Sequence, residues 1–195
     1  MIYEFCAENV TLLEKAMQAG ARRIELCDNL AVGGTTPSYG VTKAAVELAA
    51  NYDTTIMTMI RPRGGDFVYT DLEIAIMLED IRLTTQAGSQ GVVFGALTAD
   101  KKLDKPNLEK LITASKGMEI VFHMAFDELS DEDQLEAIDW LSQAGVTRIL
   151  TRAGVSEDSL DKRFAHYHRI LEHAKGKIEI LPGGGIDLDR QGEAV

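Results

Sequence analysis

The sequence predicts an α/β fold of parallel strands built as a (β/α) barrel, and three observations carry that prediction. Short β-rich runs alternate with longer segments of helical period along the whole chain. No hairpin-like apolar–polar alternation interrupts them, so the strands are expected to run parallel through right-handed crossovers. The loops after several different strands carry functional residue types, which suits a site assembled from many strand ends. An open doubly wound sheet would place a glycine-rich loop after the first strand, where this chain has Ala7-Glu8-Asn9.

Taken in order, residues 2–6 form the first predicted strand, and Asn9 is expected to cap a helix that carries Leu12, Leu13, Ala16 and Met17 on one stripe and stops at Gly20. Further strands are expected at residues 22–27, 55–60, 91–94, 119–123, 148–151 and 177–181, with one helix-length segment between each and the next. That makes seven strand–helix units. Ser130-Asp131-Glu132-Asp133 resembles a capping box, followed by Leu135, Ile138 and Leu141 at three-residue intervals. Leu160, Phe164, Tyr167, Leu171 and Ala174 repeat at helical spacing and read as a core-facing stripe. Ala19-Gly20, Ala87-Gly88 and Ala144-Gly145 each act as a helix stop that feeds a strand. Seven strands leave an eight-strand cylinder one short. An open seam is therefore expected between the first and last strands, covered by residues 186–195 or by a second copy in a homodimer or higher oligomer.

The 195 residues are expected to form a single domain over 1–195, with a core that needs no metal or disulfide staple. Twenty Lys and Arg against 31 Asp and Glu give a net charge of −11, which argues against nucleic-acid binding. Only Cys6 and Cys27 are cysteines, and the N-terminus lacks the pattern of a signal peptide, so a reducing cytoplasmic location is expected. No apolar run is long enough to span a bilayer, and no membrane partner is expected.

Charged side chains inside parallel strands call for explanation. Period-two alternation puts Glu4 with Cys6 and Glu25 with Cys27 on single faces, leaving Tyr3, Phe5, Ile24 and Leu26 to pack on helices. The first four then point into the barrel lumen. Arg61-Pro62-Arg63-Gly64-Gly65-Asp66-Phe67 follows the third strand, and Arg61 and Arg63 suit either an anionic ligand or the lumen glutamates. The loop Gly33-Gly34-Thr35-Thr36-Pro37-Ser38 presents backbone donors at a helix start or is a plain turn. His123 ends the fifth strand as a proton shuttle or metal ligand, with Asp127 placed to orient it or to contribute its own carboxylate. His166, His168 and His173 read as solvated. Gly183, Gly184 and Gly185 resemble the anion-binding loop that many barrels build late in the chain. Glu4, Glu25, Arg61, His123 and Glu179 are expected to converge at the strand C-terminal ends. Zinc-type spacing, a Walker loop and a nucleophile elbow are absent from the sequence.

Arg23-Ile24-Glu25-Leu26-Cys27, the string from Met59 to Phe67, Phe122-His123 with Ala125-Phe126-Asp127, Arg148-Ile149-Leu150-Thr151 and Pro182-Gly183-Gly184-Gly185 together resemble the CutC copper homeostasis family. The resemblance implies a TIM-like barrel, a cytoplasmic location and Cu(I) binding through Cys6 and Cys27. The chain departs from the family at Met124, at Arg152-Ala153 and at its end, where it looks truncated before an eighth strand. The residues themselves also support a second reading. It is a barrel enzyme acting by acid–base chemistry on a small anionic or phosphorylated metabolite, with Glu25, His123, Asp127 and Arg61 as catalytic groups and Arg61, Arg63, Gly183, Gly184 and Gly185 as the anion site.

Overall fold

Apolar runs at Ile24, Leu26, Ile56, Val92, Phe94, Ile120, Phe122 and Ile149 alternate with the lumen residues and are fully or almost fully buried against helices. The computed structural model of the chain describes residues 2–153 and 160–184. Its strands are β1 Glu4–Glu8, β2 Arg23–Cys27, β3 Thr55–Met59, β4 Gly91–Phe94, β5 Glu119–Phe122, β6 Arg148–Thr151 and β7 Glu179–Pro182. Between them lie α1 Leu13–Gln18, α2 Tyr39–Ala49, α3 Asp71–Ala87, α4 Lys105–Ala114, α5 Asp131–Ala144 and α6 Leu160–Ala174. The strands form one parallel sheet in sequence order, curled as a half-barrel. Among the described residues β1 pairs only with β2 and β7 only with β6, so the two edges do not meet. Six α-helices are described; a helix for the seventh unit, and Gly185, fall outside the described residues.

The outer core is held by helix caps as well as by burial. Thr70 caps α3 in a full capping box with Glu73, and Ser130 accepts the Asp133 N–H at the start of α5. The α3 and α5 helices end on Gly88 and Gly145 in the left-handed conformation, at φ 89° and 92°. Each fully buried Phe, Leu or Ile of the helix–sheet layer contributes about 1.5–3 kcal/mol. A second, smaller apolar cluster of Cys27, Met57, Met59, Val93 and Val121 fills the concave face, with Leu30 and Leu150 against it. This is the lumen of the expected barrel.

Several local expectations are corrected. The first strand starts and ends two residues later than predicted, because Asn9 N–H still reaches Cys27 O at 2.8 Å and carries the ladder past Cys6. Asn9 therefore sits at φ 56° in a turn and caps nothing, while the six-residue α1 starts after Leu12 at φ 59°. Tyr3 and Phe5 stay 56% and 36% exposed, because β1 lies at the sheet edge and α1 is too short to cover them. On α6 Tyr167 and Ala174 of the predicted stripe pack on the core, but Leu171 is exposed and Ile170 takes its place. His166 and His173 are not simply solvated. They bond Gln134 Oε1 at 2.7 Å and Asp139 Oδ2 at 3.0 Å and tie α6 to α5.

Candidate functional site

The β1–β2 register places Cys6 directly opposite Glu25, with Cys27 one pleat farther along β2 on the same face. One donor atom from each of Cys6, Glu25 and Cys27 lies within 4.8 Å of the others, and Glu25 and Cys27 are buried while Cys6 is exposed. Met57 and Met59 continue the same face on β3. Met57 lies over Gly91 on the far flank of β3, where a Cβ would meet its Sδ at 2.6 Å. Gly34, at φ +87°, lets the loop after β2 close on the centre, since a Cβ there would stand 3.1 Å from Cys27 Sγ. The diagonal offset separates the two cysteine Cα atoms by about 8 Å. That is longer than a disulfide spans without backbone movement, so the register favours two thiols that share a ligand over two that oxidise together.

The electrostatics follow from this packing. Burial, and next the neighbouring Cys6, hold the Glu25 carboxyl well above the usual carboxylate range, and Glu25 Oε1 has no hydrogen-bond partner among the described residues. The Cys6 thiol is drawn down to about 7, chiefly by its hydrogen bond with Cys27 and, against the effect of burial, by one with Glu25. Cys27 is pushed up by the same hydrogen bond and by burial. The pair thus loses its first proton at Cys6, whose thiolate is held by the S–H of Cys27 and the protonated Glu25.

Below this centre, the strand N-terminal ends carry a second set of charges. Glu4, Arg23, Glu119, Arg148 and Glu179 are each the first residue of their strand. Arg148, buried, bonds Glu119 at 2.7 Å and Glu179 at 3.3 Å, and Arg23 lies 3.8 Å from Glu4. Burial, then the neighbouring Glu25 carboxyl, raises the Glu4 carboxyl to about 7. Glu4 and Glu179 were expected at the C-terminal mouth with Arg61 and His123. The structure places them at the opposite end, because β1 runs on to Glu8 and β7 begins at Glu179. Arg23 and Arg148 share the lumen alternation of Glu25 and were open to the same period-two reading.

At the C-terminal mouth Arg61 is 4% exposed and anchored by backbone carbonyls: Nη1 donates to Val32 and Gly34 at 2.9 and 3.0 Å, and Nη2 to Gly65 at 2.8 Å. The Gly33–Gly34 turn therefore supplies acceptors to Arg61. Arg63 faces away, paired with Glu73 at 2.5 Å and Asp66 at 3.0 Å. His123, 3% exposed, accepts the Ala125 N–H at Nδ1 and is driven down to about 3 by burial and then by Arg61. Asp127 does not orient His123. Its oxygens accept from Thr151 Oγ1 and Arg152 N, which pins the end of β6, and burial raises its carboxyl. Gly183 and Gly184 pack under Leu150 and Met124, where Cβ atoms would meet side-chain carbons at 2.4 and 2.9 Å.

Parallel strands curled around a lumen, with the functional side chains on the concave face, define a protein of the TIM-like barrel class carrying a two-thiol, one-carboxyl centre. Deoxyribose phosphate aldolase from Aeropyrum pernix shares that fold at a TM-score of 0.68 and 15% identity, over 95% of this chain and 76% of that one. The CutC family profile matches residues 1–193, and the chain belongs to the CutC family. The CutC family protein of Enterococcus faecalis is 50% identical over 189 residues, covering 97% of this chain and 90% of the relative. The human copper homeostasis protein cutC homolog is 40% identical over 185 residues, covering 95% and 65%. The crystal structure of CutC from Streptococcus agalactiae superposes at a TM-score of 0.95 with 43% identity, over 99% of this chain and 92% of that one.

Proposed function

We propose that this chain binds Cu(I) as cargo in the cytoplasm, through the thiolates of Cys6 and Cys27, as a copper homeostasis protein. The observation that carries this reading is the donor set: two sulfur atoms and a carboxyl oxygen within 4.8 Å of one another on one lumen face. Soft thiolates select Cu(I), which is satisfied by two or three ligands. Structural zinc would ask for four. Cys6, drawn down to about 7, supplies a thiolate near neutral pH, and metal binding would displace the proton from Cys27. Glu25 would then carry its proton as a hydrogen-bond donor or release it as a third ligand. The name of the human relative, a copper homeostasis protein, points the same way.

The test is an anaerobic Cu(I) titration against a competing chromophoric chelator. One equivalent should bind per chain, and Cys6→Ser or Cys27→Ser should each remove most of the affinity. Unchanged affinity in the double variant would place copper elsewhere and end this reading. The acid–base enzyme reading finds less support, since His123 is held neutral with a pKa of about 3 and both Asp127 oxygens are engaged.

A further inference from the structure

Arg61, Gly95 and His123 stand side by side on the lumen face, one residue pair beyond the Met59↔Val93 and Val93↔Val121 pairs of the β3–β4–β5 ladder. The central residue is glycine, and the imidazole leans into the space this leaves, so that a Cβ on Gly95 would meet His123 Cε1 and Nδ1 at 2.7 Å. His123 thus reaches across β4 toward Arg61. Phe67 bridges the two, with its ring 4.8 Å from the imidazole and 4.8 Å from the Arg61 guanidinium carbon. Tyr69 completes the group. It is 8% exposed, and its hydroxyl, pushed up to about 12 by burial, is pulled the other way by the adjacent Arg61.

Three buried polar atoms here lack a well-formed hydrogen bond among the described residues: Arg61 Nε, Tyr69 Oη and His123 Nε2, with only a weak approach of Arg61 to the Tyr69 hydroxyl. All three can donate. The Ala125 N–H occupies Nδ1 of His123, so the ring proton sits on Nε2. The carbonyls of Val32, Gly34 and Gly65 take three of Arg61's five N–H groups, leaving Nε–H and one Nη2 hydrogen. Arg61 also differs from the other lumen arginines. Buried Arg148 has Glu119 and Glu179, and half-buried Arg23 has Glu4, but Arg61 forms no ion pair among the described residues. A buried cation without an anion and neutral donors without well-formed acceptors are expensive to keep, and a bound oxyanion would supply the missing acceptor.

We propose that Arg61, Tyr69 and His123 form a binding site for the carboxylate of a small organic acid, covered by Phe67. The single positive charge selects a monoanionic group, and the planar fork matches the two oxygens of a carboxylate. A phosphate dianion would leave one charge uncompensated in a dry site. Arg63 takes no part, because Asp66 and Glu73 neutralise it. Binding would move the half-buried Phe67 ring, while the Phe67 carbonyl is held by the Leu97 N–H at 2.9 Å. The site shares no side chain with the cysteine centre, although the Gly34 backbone touches both.

The experiment is nitrogen-15 NMR of the side-chain Arg Nε–H and His Nε2–H resonances of the full chain, titrated with sodium acetate and sodium pyruvate and, separately, with inorganic phosphate and chloride. Saturable shifts of the Arg61 and His123 signals with the carboxylates, and not with phosphate or chloride, are expected. Tyr69→Phe removes one hydroxyl without disturbing the Arg61 anchors, and it should weaken carboxylate binding about tenfold while leaving the melting temperature equal or higher. The Cys6→Ala/Cys27→Ala double variant should bind the carboxylates as the parent does. The proposal is overturned if tens of millimolar acetate and pyruvate leave both resonances unmoved. It is equally overturned if chloride and phosphate move them alike, or if Tyr69→Phe binds as tightly as the parent.

Discussion

Replacing Cys27 by Ala is the sharpest probe of the lumen centre, because it removes the S–H that holds the Cys6 thiolate and leaves the other strand residues in place. With the Cys6 pKa lowered from about 9 to about 7, half of Cys6 is thiolate at pH 7, against about one part in a hundred for an unperturbed thiol. The gain in thiolate is about fiftyfold. Intrinsic nucleophilicity falls by a factor of about eight over two pK units, so alkylation at pH 7 should run about sixfold faster than in an ordinary cysteine. The assay is the rate of iodoacetamide labelling of Cys6 from pH 5 to pH 10, with the site assigned by mass spectrometry. The parent should show a midpoint near 7 that belongs to the thiol pair, and Cys27→Ala should move it upward by one unit or more. An ordinary midpoint in the parent, or one that Cys27→Ala leaves in place, would refute the shared-proton account.

The other predictions concern stability. Glu4 is raised to about 7 in the fold, so it stabilises fully below its unfolded value near 4.5 and loses that contribution as pH rises through 7. Glu4→Gln should therefore gain on the parent between pH 4.5 and pH 7 by about 3 kcal/mol at most, and level off above, as read from urea unfolding at each pH. Arg61→Lys keeps the charge but cannot span the carbonyls of Val32, Gly34 and Gly65, and it should cost about 2–4 kcal/mol in the same assay. Gly91→Ala would set a Cβ 2.8 Å from the Glu119 carbonyl oxygen and into Met57, so about 1–3 kcal/mol of destabilisation is expected; a neutral result would mean that β4 and β5 can part at that point.

Much of the site was legible in sequence because side-chain alternation in a strand is local. Glu25 and Cys27 share a face whatever surrounds them, and the same rule assigns Met57 and Met59 to the lumen. The strand ends were less legible. The predicted first strand stopped at Cys6, yet Asn9 still bonds Cys27 O, and that pairing is set by the partner strand. The Leu171 position on α6 failed for a related reason, since Leu171 and Ile170 fit a helical stripe equally well until the sheet selects one side. Tyr69 left no signal at all: it lies in an irregular loop, where no periodicity relates a residue to the face it will join.

By itself the sequence determined the alternating parallel architecture and the family, because hydrophobic period and motif strings are properties of the chain read in one dimension. It also placed Glu4 with Cys6, and Glu25 with Cys27, on the inward faces of the first two strands. Only the tertiary structure decided that Cys6 stands opposite Glu25 and within reach of Cys27, that Glu4 and Glu179 stand at the strand N-terminal ends, and that Arg61 gives three donors to carbonyls and leaves its Nε without one. Each of these depends on the register between strands or on where a loop returns. Both are set by the packing of segments far apart in the chain, and a one-residue slip would turn every side chain to the opposite face.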